Sequence, residues 1–415
     1  MAGQPDVRLL VIADDLTGAV DSAAATWLSG PRLCVPWRDG EEDWDRADHA
    51  QPRVLSISTD SRMLEPAVAA ERVARAVRWS TGRGYRLVKK VDSLLRGNVA
   101  AEIAAFLDQV DATAGVFAPA LPAQGRITIA GTQLVDGVPV SSSPAGSDPH
   151  APARQSYVSA LVPPGLRCYP LRINAVREYD LERLVRGAAG GVIVADAAEQ
   201  SDLDRLRTAA LSVPDVVLIG SSGLIAAESP RETRIPHGRV LVVSASRRPE
   251  VTAQCAQITK AFPASEELIV RPRDILDGAC DPGTWLHSVR TADIAILRVD
   301  PNAPLAPSVS TRRAESSGLL EALATGVAQA YRGEGSPVTI VILGGDLAAE
   351  VCTALDVAAL DVQGVACGGG GVCRIVGPTA RSDRHLVLRS GAFGSDDVLV
   401  EALSHRADGV EMTDG

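Results

Sequence analysis

Aromatic side chains are scarce in this sequence, since Phe, Trp and Tyr make up only 3% of its 415 residues. The core must therefore be built from Ala, Val, Leu and Ile, and the scarcity argues against binding nucleic acid by base stacking. Positive charge is also in short supply, because 41 Lys and Arg stand against 51 Asp and Glu and leave a net charge of −10. This balance argues against a broad surface for phosphate backbones but leaves a local basic pocket open.

Metal-binding and disulfide spacings are missing too. The seven cysteines form no Cys-x-x-Cys pair and the six histidines show no His-x₃-His spacing, so we expect neither a structural zinc site nor a disulfide framework. No window of 18 apolar residues occurs, and the first residues lack the pattern of a signal peptide. We expect a cytoplasmic protein with reduced thiols and with no membrane or nucleic-acid partner.

Short runs rich in Val and Ile alternate with amphipathic segments along the chain. This alternation is typical of βαβ units, so the predicted fold class is α/β, with mainly parallel sheets flanked by helices. Residues 228–237 are polar, contain two prolines and show no periodicity, which predicts two domains, 1–228 and 238–415. Strands are predicted at 8–12, 54–58, 87–90, 115–118, 191–195, 215–219, 239–244, 293–299, 338–343 and 385–388.

Three helix starts are predicted in the first domain. The first helix is expected to begin near Thr17 or Gly18. Pro66 suits the first position of the next helix, because proline needs no N–H partner there. Asn98 is predicted to cap the helix that follows the third strand.

Polar side chains follow the first three predicted strands. Asp14 and Asp15 come directly after the first strand, residues 59–62 after the second, and residues 89–98 at the end of the third. Because ligands bind outside the carboxyl ends of strands in open α/β sheets, these clusters are expected to converge on one site. The alternatives are that one aspartate caps the next helix and that 89–98 is a charged surface loop.

The residue types in these clusters favour an anionic ligand that carries several hydroxyl groups. Adjacent carboxylates accept hydrogen bonds from hydroxyl groups, and one of them can act as a general base. A cation such as Arg62 or Lys90 pairs with a ligand carboxylate, while Asp92 and Ser93 bind hydroxyl groups. The turn that ends in Gly125-Arg126 is a weak signal by itself.

Glycine clusters follow strands in the second half. Gly344-Gly345-Asp346 connects a predicted strand to a helix, an arrangement in which backbone N–H groups can face a phosphate. Residues 390–394 and 367–373 are two further glycine-rich segments, and a tight turn without a ligand is the alternative for each. The Rossmann motif after the first strand, the P-loop motif and the Gly-x-Ser-x-Gly elbow are all missing.

Seven motifs in this order resemble the four-carbon acid sugar kinase family, and they span nearly the whole chain. They are Ile12-Ala-Asp-Asp-Leu-Thr-Gly18, Lys89-Lys-Val-Asp-Ser-Leu-Leu-Arg-Gly-Asn98, Ala118-Pro-Ala-Leu-Pro122 with Gly125-Arg126, Gly220-Ser-Ser-Gly-Leu224, Val243-Ser-Ala-Ser246, Gly344-Gly-Asp346 and Ser390-Gly-Ala-Phe-Gly394.

The resemblance implies an ATP-dependent phosphotransferase that acts on the terminal 4-hydroxyl group of threonate, erythronate or a 3-oxo-tetronate. The N-terminal domain would hold the acid sugar and the C-terminal domain would hold the nucleotide. The implied catalytic residues are Asp14, Asp15 and Asp92. The implied substrate-binding residues are Arg62, Lys90, Val91, Asp92, Ser93 and Arg126. The implied nucleotide-binding residues are Ser246, Gly344, Gly345, Asp346, Leu347 and Gly391.

Some positions depart from the family pattern. Where the family commonly has Ser-Gly-Ser-x-Ser-Pro, this chain has residues 244–249 as Ser-Ala-Ser-Arg-Arg-Pro. Ala392 stands in place of an asparagine, and residues 368–371 are four glycines where the family has a turn containing proline. Residues 141–152 also match the family poorly.

The sequence therefore predicts a kinase with its active-site cleft between the two domains, using ATP and Mg²⁺. Positioning and charge neutralisation would carry most of the catalysis, as in other phosphoryl transfers. The alternatives are a kinase for another small hydroxy acid, a sugar-acid lyase or isomerase that needs no ATP, and a non-catalytic sensor of acid sugars. A homo-oligomer is compatible with the sequence but is not predicted by it.

Overall fold

The computed structural model describes residues 7–148, 150–227, 230–236, 238–304, 309–333, 339–390 and 394–406. The chain divides into two compact units between Pro230 and Arg231. Each unit contains a mainly parallel β-sheet and flanking helices, which confirms the predicted α/β class with two domains. The predicted end points of the domains and the predicted cleft stay predictions.

Eleven strands are described in the N-terminal unit: β1 (Arg8–Ala13), β2 (Arg32–Val35), β3 (Val54–Ser58), β4 (Tyr85–Lys90), β5 (Ala114–Ala118), β6 (Arg126–Ile129), β7 (Thr132–Val135), β8 (Val138–Pro139), β9 (Arg167–Leu171), β10 (Gly191–Ala195) and β11 (Val216–Gly220). Eight of them form a parallel sheet in the order β2-β3-β1-β4-β11-β5-β10-β9. The other three, β6 to β8, form a small antiparallel sheet.

Strand β1 occupies the position at which the strand order of the large sheet reverses. The chain goes from β1 to β2 and β3 on one side and then to β4 on the other. Ala13 at the end of β1 is in register with Ser58 of β3 and with Lys90 of β4. Because the three strands are parallel, their carboxyl ends lie side by side, at the kind of position where open α/β sheets bind ligands.

The helices of the N-terminal unit are α1 (Leu16–Ala25), α2 (Glu42–His49), α3 (Pro66–Ser80), α4 (Val99–Gln109), α5 (Ile173–Glu178), α6 (Leu181–Gly187), α7 (Gln200–Ser212) and α8 (Ser222–Ile225). Short 3₁₀ turns occur at Pro122–Gln124, Val140–Ser142, Pro144–Ser147 and Val158–Leu161. Helix α3 begins at Pro66, as predicted.

Asn98 has a different role from the predicted one. It directly precedes α4, but its side chain caps no backbone N–H group of that helix. Instead, its amide donates to the carbonyl oxygens of Ser61 (3.0 Å) and Leu64 (2.8 Å). Asn98 therefore ties the loop after β3 to the start of α4.

The C-terminal unit has strands β12 (Val240–Ser244), β13 (Glu266–Val270), β14 (Ile294–Val299), β15 (Thr339–Leu343), β16 (Ala359–Val365), β17 (Gly371–Val376) and β18 (His385–Arg389). They are arranged in the order β13-β14-β12-β15-β18-β17-β16. The pairs β16–β17 and β17–β18 are antiparallel, and the other pairs are parallel.

The helices of the C-terminal unit are α9 (Pro249–Ala261), α10 (Pro272–Leu276), α11 (Pro282–Ser288), α12 (Val309–Arg332), α13 (Gly345–Ala354) and α14 (Val398–Ser404). Aliphatic side chains such as Val242, Ile296 and Val341 fill a core of this unit, in keeping with the shortage of aromatic residues. No helix in the described ranges is long and apolar enough to cross a membrane.

All ten predicted strands are present, with ends displaced by at most two residues. The missed strands are short, exposed or glycine-containing. Strand β2 has only four residues, and β13 and β9 lie at sheet edges where burial is incomplete. The sequence does not predict the hairpin of β16 and β17, because its glycine run indicates a ligand loop or a tight turn but not the strands on either side.

The amino ends of the central strands are held by a buried carboxylate. Asp48 of α2 accepts hydrogen bonds from Arg8 Nη2 (2.6 Å) at the start of β1 and from Tyr85 Oη (2.7 Å) at the start of β4. Burial by itself would raise the pKa of Asp48, but the Tyr85 hydrogen bond and the guanidinium groups of Arg8 and Arg83 lower it below its ordinary value of 3.8. Asp48 is therefore ionised in the folded chain at neutral pH.

We predict that Asp48→Asn lowers the free energy of unfolding by about 1–3 kcal/mol at neutral pH, since the arginine partner stays without its carboxylate. A carboxyl group whose pKa is lower in the folded chain stabilises the fold above its unfolded pKa, near 3.8, and this stabilisation is lost as the pH falls through the folded pKa. The difference between wild type and variant should therefore narrow as the pH is lowered from about 5. Urea denaturation over this pH range tests the prediction, and a constant difference contradicts it.

Candidate active site

The aligned ends of β1, β3 and β4 bring the predicted polar clusters together. Asp14 and Asp15 follow Ala13, residues 59–62 follow Ser58, and residues 91–93 follow Lys90. The backbone N–H groups of residues 61 and 62 donate to the carbonyl oxygen of Asp14 (2.9 and 3.3 Å). The loops after β1 and β3 are therefore bonded directly to each other at the site.

Arg62 lies among three carboxylates. Its Nε is 2.7 Å from Asp14 Oδ2, and its Nη2 is 2.8 Å from Asp15 Oδ1 and 3.8 Å from Asp92 Oδ1. The side chain of Arg62 is only 14% exposed, and those of the three aspartates are 4–10% exposed. One planar guanidinium group thus connects the three acids that were predicted to be catalytic.

A second arginine fixes Asp92. Arg96 Nε lies 2.7 Å from Asp92 Oδ2 and Arg96 Nη2 lies 3.1 Å from Asp92 Oδ1, so the pair is bidentate. Burial alone would raise the pKa of Asp92, but Arg96 and Arg62 lower it well below its usual range. Asp92 is consequently a fixed anion at neutral pH and an acceptor for hydroxyl groups. Arg96 Nη1 also lies 3.7 Å from Asp148 Oδ2.

Asp15 caps helix α1. Its Oδ1 accepts from the N–H group of Gly18 (3.1 Å) and its Oδ2 accepts from Thr17 Oγ1 (2.6 Å). Burial would raise the pKa of Asp15, yet the charges of Arg62 and Lys90 lower it below its ordinary value. The capping alternative therefore describes Asp15, and a carboxylate with a lowered pKa is a weak base.

Asp14 differs from Asp15 in that one of its two carboxylate oxygens accepts no hydrogen bond from the described residues. Its Oδ2 accepts from Arg62, whereas its Oδ1 is buried and has no hydrogen-bond partner among the described residues. A buried acceptor without a donor is costly, by about 1–3 kcal/mol, unless a ligand supplies the donor. Of the two adjacent aspartates, Asp14 is thus the one that can accept a hydrogen bond from a substrate hydroxyl group.

Gly18 makes room for the ammonium group of Lys90. A Cβ atom built on Gly18 would lie 2.4 Å from Asp15 Oδ1 and 2.7 Å from Lys90 Nζ, so a side chain here would displace the Asp15 carboxylate or the Lys90 ammonium group. Lys90 therefore lies over the start of α1 beside Asp15, and its side chain is buried. This explains the glycine of the first motif in physical terms.

Ser93 and Arg126 meet although 32 residues separate them. Arg126, the first residue of β6, donates from Nη1 to Ser93 Oγ, and both side chains are buried. Gln133 of β7 donates from Nε2 to the Ser93 carbonyl oxygen (2.8 Å). The small antiparallel sheet thus adds a cation to the site.

Val91 lies between Lys90 and Asp92 and keeps them apart. Its side chain is buried, and its N–H group donates to the Gly220 carbonyl oxygen (2.8 Å).

The ends of three adjacent strands are aligned in the C-terminal unit as well. Ser244 at the end of β12 is in register with Leu343 of β15, which is in register with Arg389 of β18. Ser246 and the Gly344-Gly345 pair follow two of these ends. Gly391 follows the third, but it lies outside the described residues.

Helix α13 begins without a side-chain cap. Gly344, with φ +125°, is its N-cap residue, and the Gly344 N–H group donates to the Arg389 carbonyl oxygen (2.9 Å). Residues 345–347 form the first turn, and first-turn N–H groups lie beyond the reach of their own helix's carbonyl groups. Asp346 is exposed at this end, whereas the Leu347 side chain is buried and can offer only its backbone.

The four-glycine run forms the turn of the β16–β17 hairpin. Residues 368–370 have φ values of +75°, +91° and +92°, which favour glycine. A Cβ atom on Gly368 would lie 2.7 Å from the Val398 carbonyl oxygen. Arg389 Nε donates to the Gly368 carbonyl oxygen (3.2 Å). The glycine run is thus explained by the fold alone.

Arg247, one of the departures from the family pattern, is also engaged within the fold. Its Nη1 donates to the Ala303 carbonyl oxygen (3.0 Å).

Three residues around the site were not predicted: Arg96, Glu102 and Gln133. Arg96 lies inside the second motif, residues 89–98, but the motif by itself assigns it no role. Glu102 shares the apolar face of α4 with Val99, Ile103 and Phe106, and all four are buried. A charged residue at such a position is a readable signal. Gln133 lies in a hairpin that the sequence did not predict.

Comparisons with known proteins find one matching family for each of the two units. Residues 9–228 match the family described as Sugar-binding N-terminal domain, and residues 241–399 match the one described as Nucleotide-binding C-terminal domain. The D-threonate kinase of Salmonella typhimurium is 30% identical over 432 residues, which cover 96% of this chain and 98% of that protein. The D-erythronate kinase of Heliobacterium modesticaldum is 29% identical and covers 94% of this chain and 95% of its own.

The fold is shared with solved structures too. A crystal structure of a protein from Salmonella typhimurium LT2 gives a TM-score of 0.73 at 20% identity and covers 95% of this chain and 98% of its own. The family matches extend over both units, and the match to the D-threonate kinase extends over nearly all of that protein. The chain belongs to the four-carbon acid sugar kinase family.

Proposed function

We propose that this protein transfers the γ-phosphoryl group of ATP to the terminal 4-hydroxyl group of threonate, erythronate or a 3-oxo-tetronate. The observation that carries the proposal is the buried Asp14 Oδ1, an acceptor without a donor in the described structure, in a site rich in cations. The relatives named D-threonate kinase and D-erythronate kinase support this substrate class.

The substrate carboxylate is assigned to Lys90 and Arg126. Arg62 and Arg96 already form ion pairs with the aspartates of the site at 2.7–2.8 Å, so they serve mainly to hold those acids. Lys90 at the end of β4 lies beside Asp15, and Arg126 at the start of β6 donates to Ser93, so both buried cations lie within the site. A buried cation next to a carboxylate gives a strong, charge-assisted contact.

Hydroxyl groups of the substrate are assigned to Asp14, Asp92 and Ser93. The 4-hydroxyl oxygen attacks the γ-phosphorus atom, the bond between that phosphorus and the β,γ-bridging oxygen breaks, and ADP leaves. The hydroxyl proton goes to Asp14. Because phosphoryl transfer has a loose transition state, the reaction needs orientation of the hydroxyl group more than a strong base.

The residues of the C-terminal unit fit a nucleotide. The first turn of α13, which has no side-chain cap, offers backbone N–H groups and the positive end of a helix dipole to phosphate oxygens. Ser246 adds a hydroxyl group at the end of the neighbouring strand β12. Mg²⁺ bound with ATP would neutralise charge on the phosphates.

The first test is ³¹P NMR of the protein with Mg·ATP and, separately, D-threonate, L-threonate, D-erythronate, L-erythronate and a 3-oxo-tetronate. We expect a new phosphomonoester signal with at least one compound, accompanied by stoichiometric ADP. ADP without a phosphomonoester, or no ADP with any compound, overturns the proposed activity. A melting shift with an acid sugar but no ADP would then identify the sensor alternative.

Asp14→Asn tests the role of the spare oxygen. The amide keeps the shape of the side chain but cannot take the proton, so we expect kcat to fall by about 10²–10⁴-fold. Asp48→Asn is the matched control, because it removes another buried carboxylate paired with an arginine, at the opposite ends of the same strands. Full turnover in Asp14→Asn would remove Asp14 from the mechanism.

Gly344→Ala tests the nucleotide half. The substitution strains a backbone at φ +125° although its Cβ meets no atom within 4 Å, so it should move the first turn of α13. We expect KM for ATP to rise about tenfold while KM for the acid sugar stays the same. Gly278→Ala, at φ +71° and equally open, is the control for strain away from the site. Equal effects of the two variants on KM for ATP contradict the assignment.

A further inference from the structure

Lys89 and Glu102 form an ion pair that is almost completely buried behind the site. Lys89 Nζ lies 2.8 Å from Glu102 Oε2, and the two side chains are 0% and 2% exposed. Lys89 Nζ also donates to the carbonyl oxygens of Lys90 (2.8 Å) and Ile12 (3.3 Å). An ammonium group has three donors, and each of them here has an acceptor.

The other oxygen of Glu102 reaches the third strand end. Glu102 Oε1 accepts from Ser61 Oγ (2.6 Å), and Ser61 Oγ lies 2.7 Å from Thr59 Oγ1. Thr59 Oγ1 donates to the carbonyl oxygen of Ala13 (2.8 Å). The pair thus connects the end of β4 to β1 through the bond from Lys89 to the Ile12 carbonyl oxygen, and to the loop after β3 through the bond between Ser61 and Glu102.

Three residues of this network directly precede residues of the proposed site, and a fourth, Lys90, belongs to the site itself. Ala13 precedes Asp14, Lys89 precedes Lys90, and Ser61 precedes Arg62. The Ser61 and Arg62 N–H groups then close the network on the Asp14 carbonyl oxygen. This network therefore fixes the backbone positions from which the side chains of Asp14, Arg62 and Lys90 extend.

Stability alone is a poor explanation for this pair. Removing two charges from water costs several kcal/mol per ion, and well-packed apolar side chains often serve the fold as well or better. Apolar side chains could not, however, hold two carbonyl groups and a serine hydroxyl group in fixed positions. The pair is therefore suited to fixing the positions of these groups rather than to stabilising the fold.

We propose that Lys89 and Glu102 are positioning residues that fix Asp14, Arg62 and Lys90 for catalysis without touching the substrate. The inference rests on the proposed function. Displacements of about 1 Å in a catalytic group cost roughly 10²-fold in rate, so the loss of this network should be visible in kinetics.

The kinetic test compares Glu102→Gln, the double variant Lys89→Met/Glu102→Met, and Asp48→Asn. Glu102→Gln leaves Lys89 without its counter-charge, and the double variant removes both charges and should regain stability. We expect both to lower kcat/KM for the acid sugar by about 10²-fold, with KM for ATP unchanged. Asp48→Asn should lower the free energy of unfolding and leave kcat/KM unchanged. Recovery of both stability and kcat/KM in the double variant overturns the proposal.

Amide hydrogen exchange of the ligand-free proteins provides a readout that needs no activity. We expect the Ser61 and Arg62 N–H groups to exchange faster in Glu102→Gln and in the double variant, but not in Asp48→Asn. Unchanged exchange in the first two variants, or faster exchange in all three, overturns the positioning role. If the wild-type protein transfers no phosphoryl group, the proposed function fails. Amide hydrogen exchange by itself then decides whether Lys89 and Glu102 hold the strand ends in place.

Discussion

The contact of Arg62 with Asp14, Asp15 and Asp92 is the interaction on which the N-terminal site depends. Three carboxylates cannot stay ionised side by side in a buried place without cations between them. Arg62 and Arg96 supply that charge, and they lower the pKa of Asp92 well below its usual range. The site is thus preorganised as a set of fixed anions and cations, which is the arrangement that the proposed binding of an acid sugar requires.

The two units use the same elementary arrangement, in which aligned strand ends lead into a helix, for different chemistry. In the N-terminal unit, the Asp15 carboxylate caps α1 and occupies the N–H group of Gly18. In the C-terminal unit, Gly344 starts α13 with no side-chain cap. A capped helix start with negative charge suits hydroxyl groups and cations, whereas an uncapped one suits phosphate oxygens. This contrast supports the assignment of sugar and nucleotide to different units.

The departures from the family pattern are of unequal weight. The glycines at 368–370 are required by positive φ values in a hairpin turn, so they need no ligand to explain them. Arg247 is engaged with the Ala303 carbonyl group. The loop that contains residues 141–152 brings Asp148 within 3.7 Å of Arg96, so this part of the chain reaches the site despite its poor match to the family.

The sequence by itself determined the alternation of strands and helices, the two-domain α/β class and the residues at the strand ends, because these depend on local periodicity and on short motifs. It could predict that Asp14, Arg62 and Asp92 converge, since parallel strands share an edge. Only the tertiary structure decided that Asp15 is the cap while Asp14 keeps a spare oxygen, and that β6 brings Arg126 to Ser93. It also showed that Lys89, unlike its neighbour Lys90, turns inward to Glu102. These choices depend on strand register and on contacts between residues far apart in sequence, which no local pattern records.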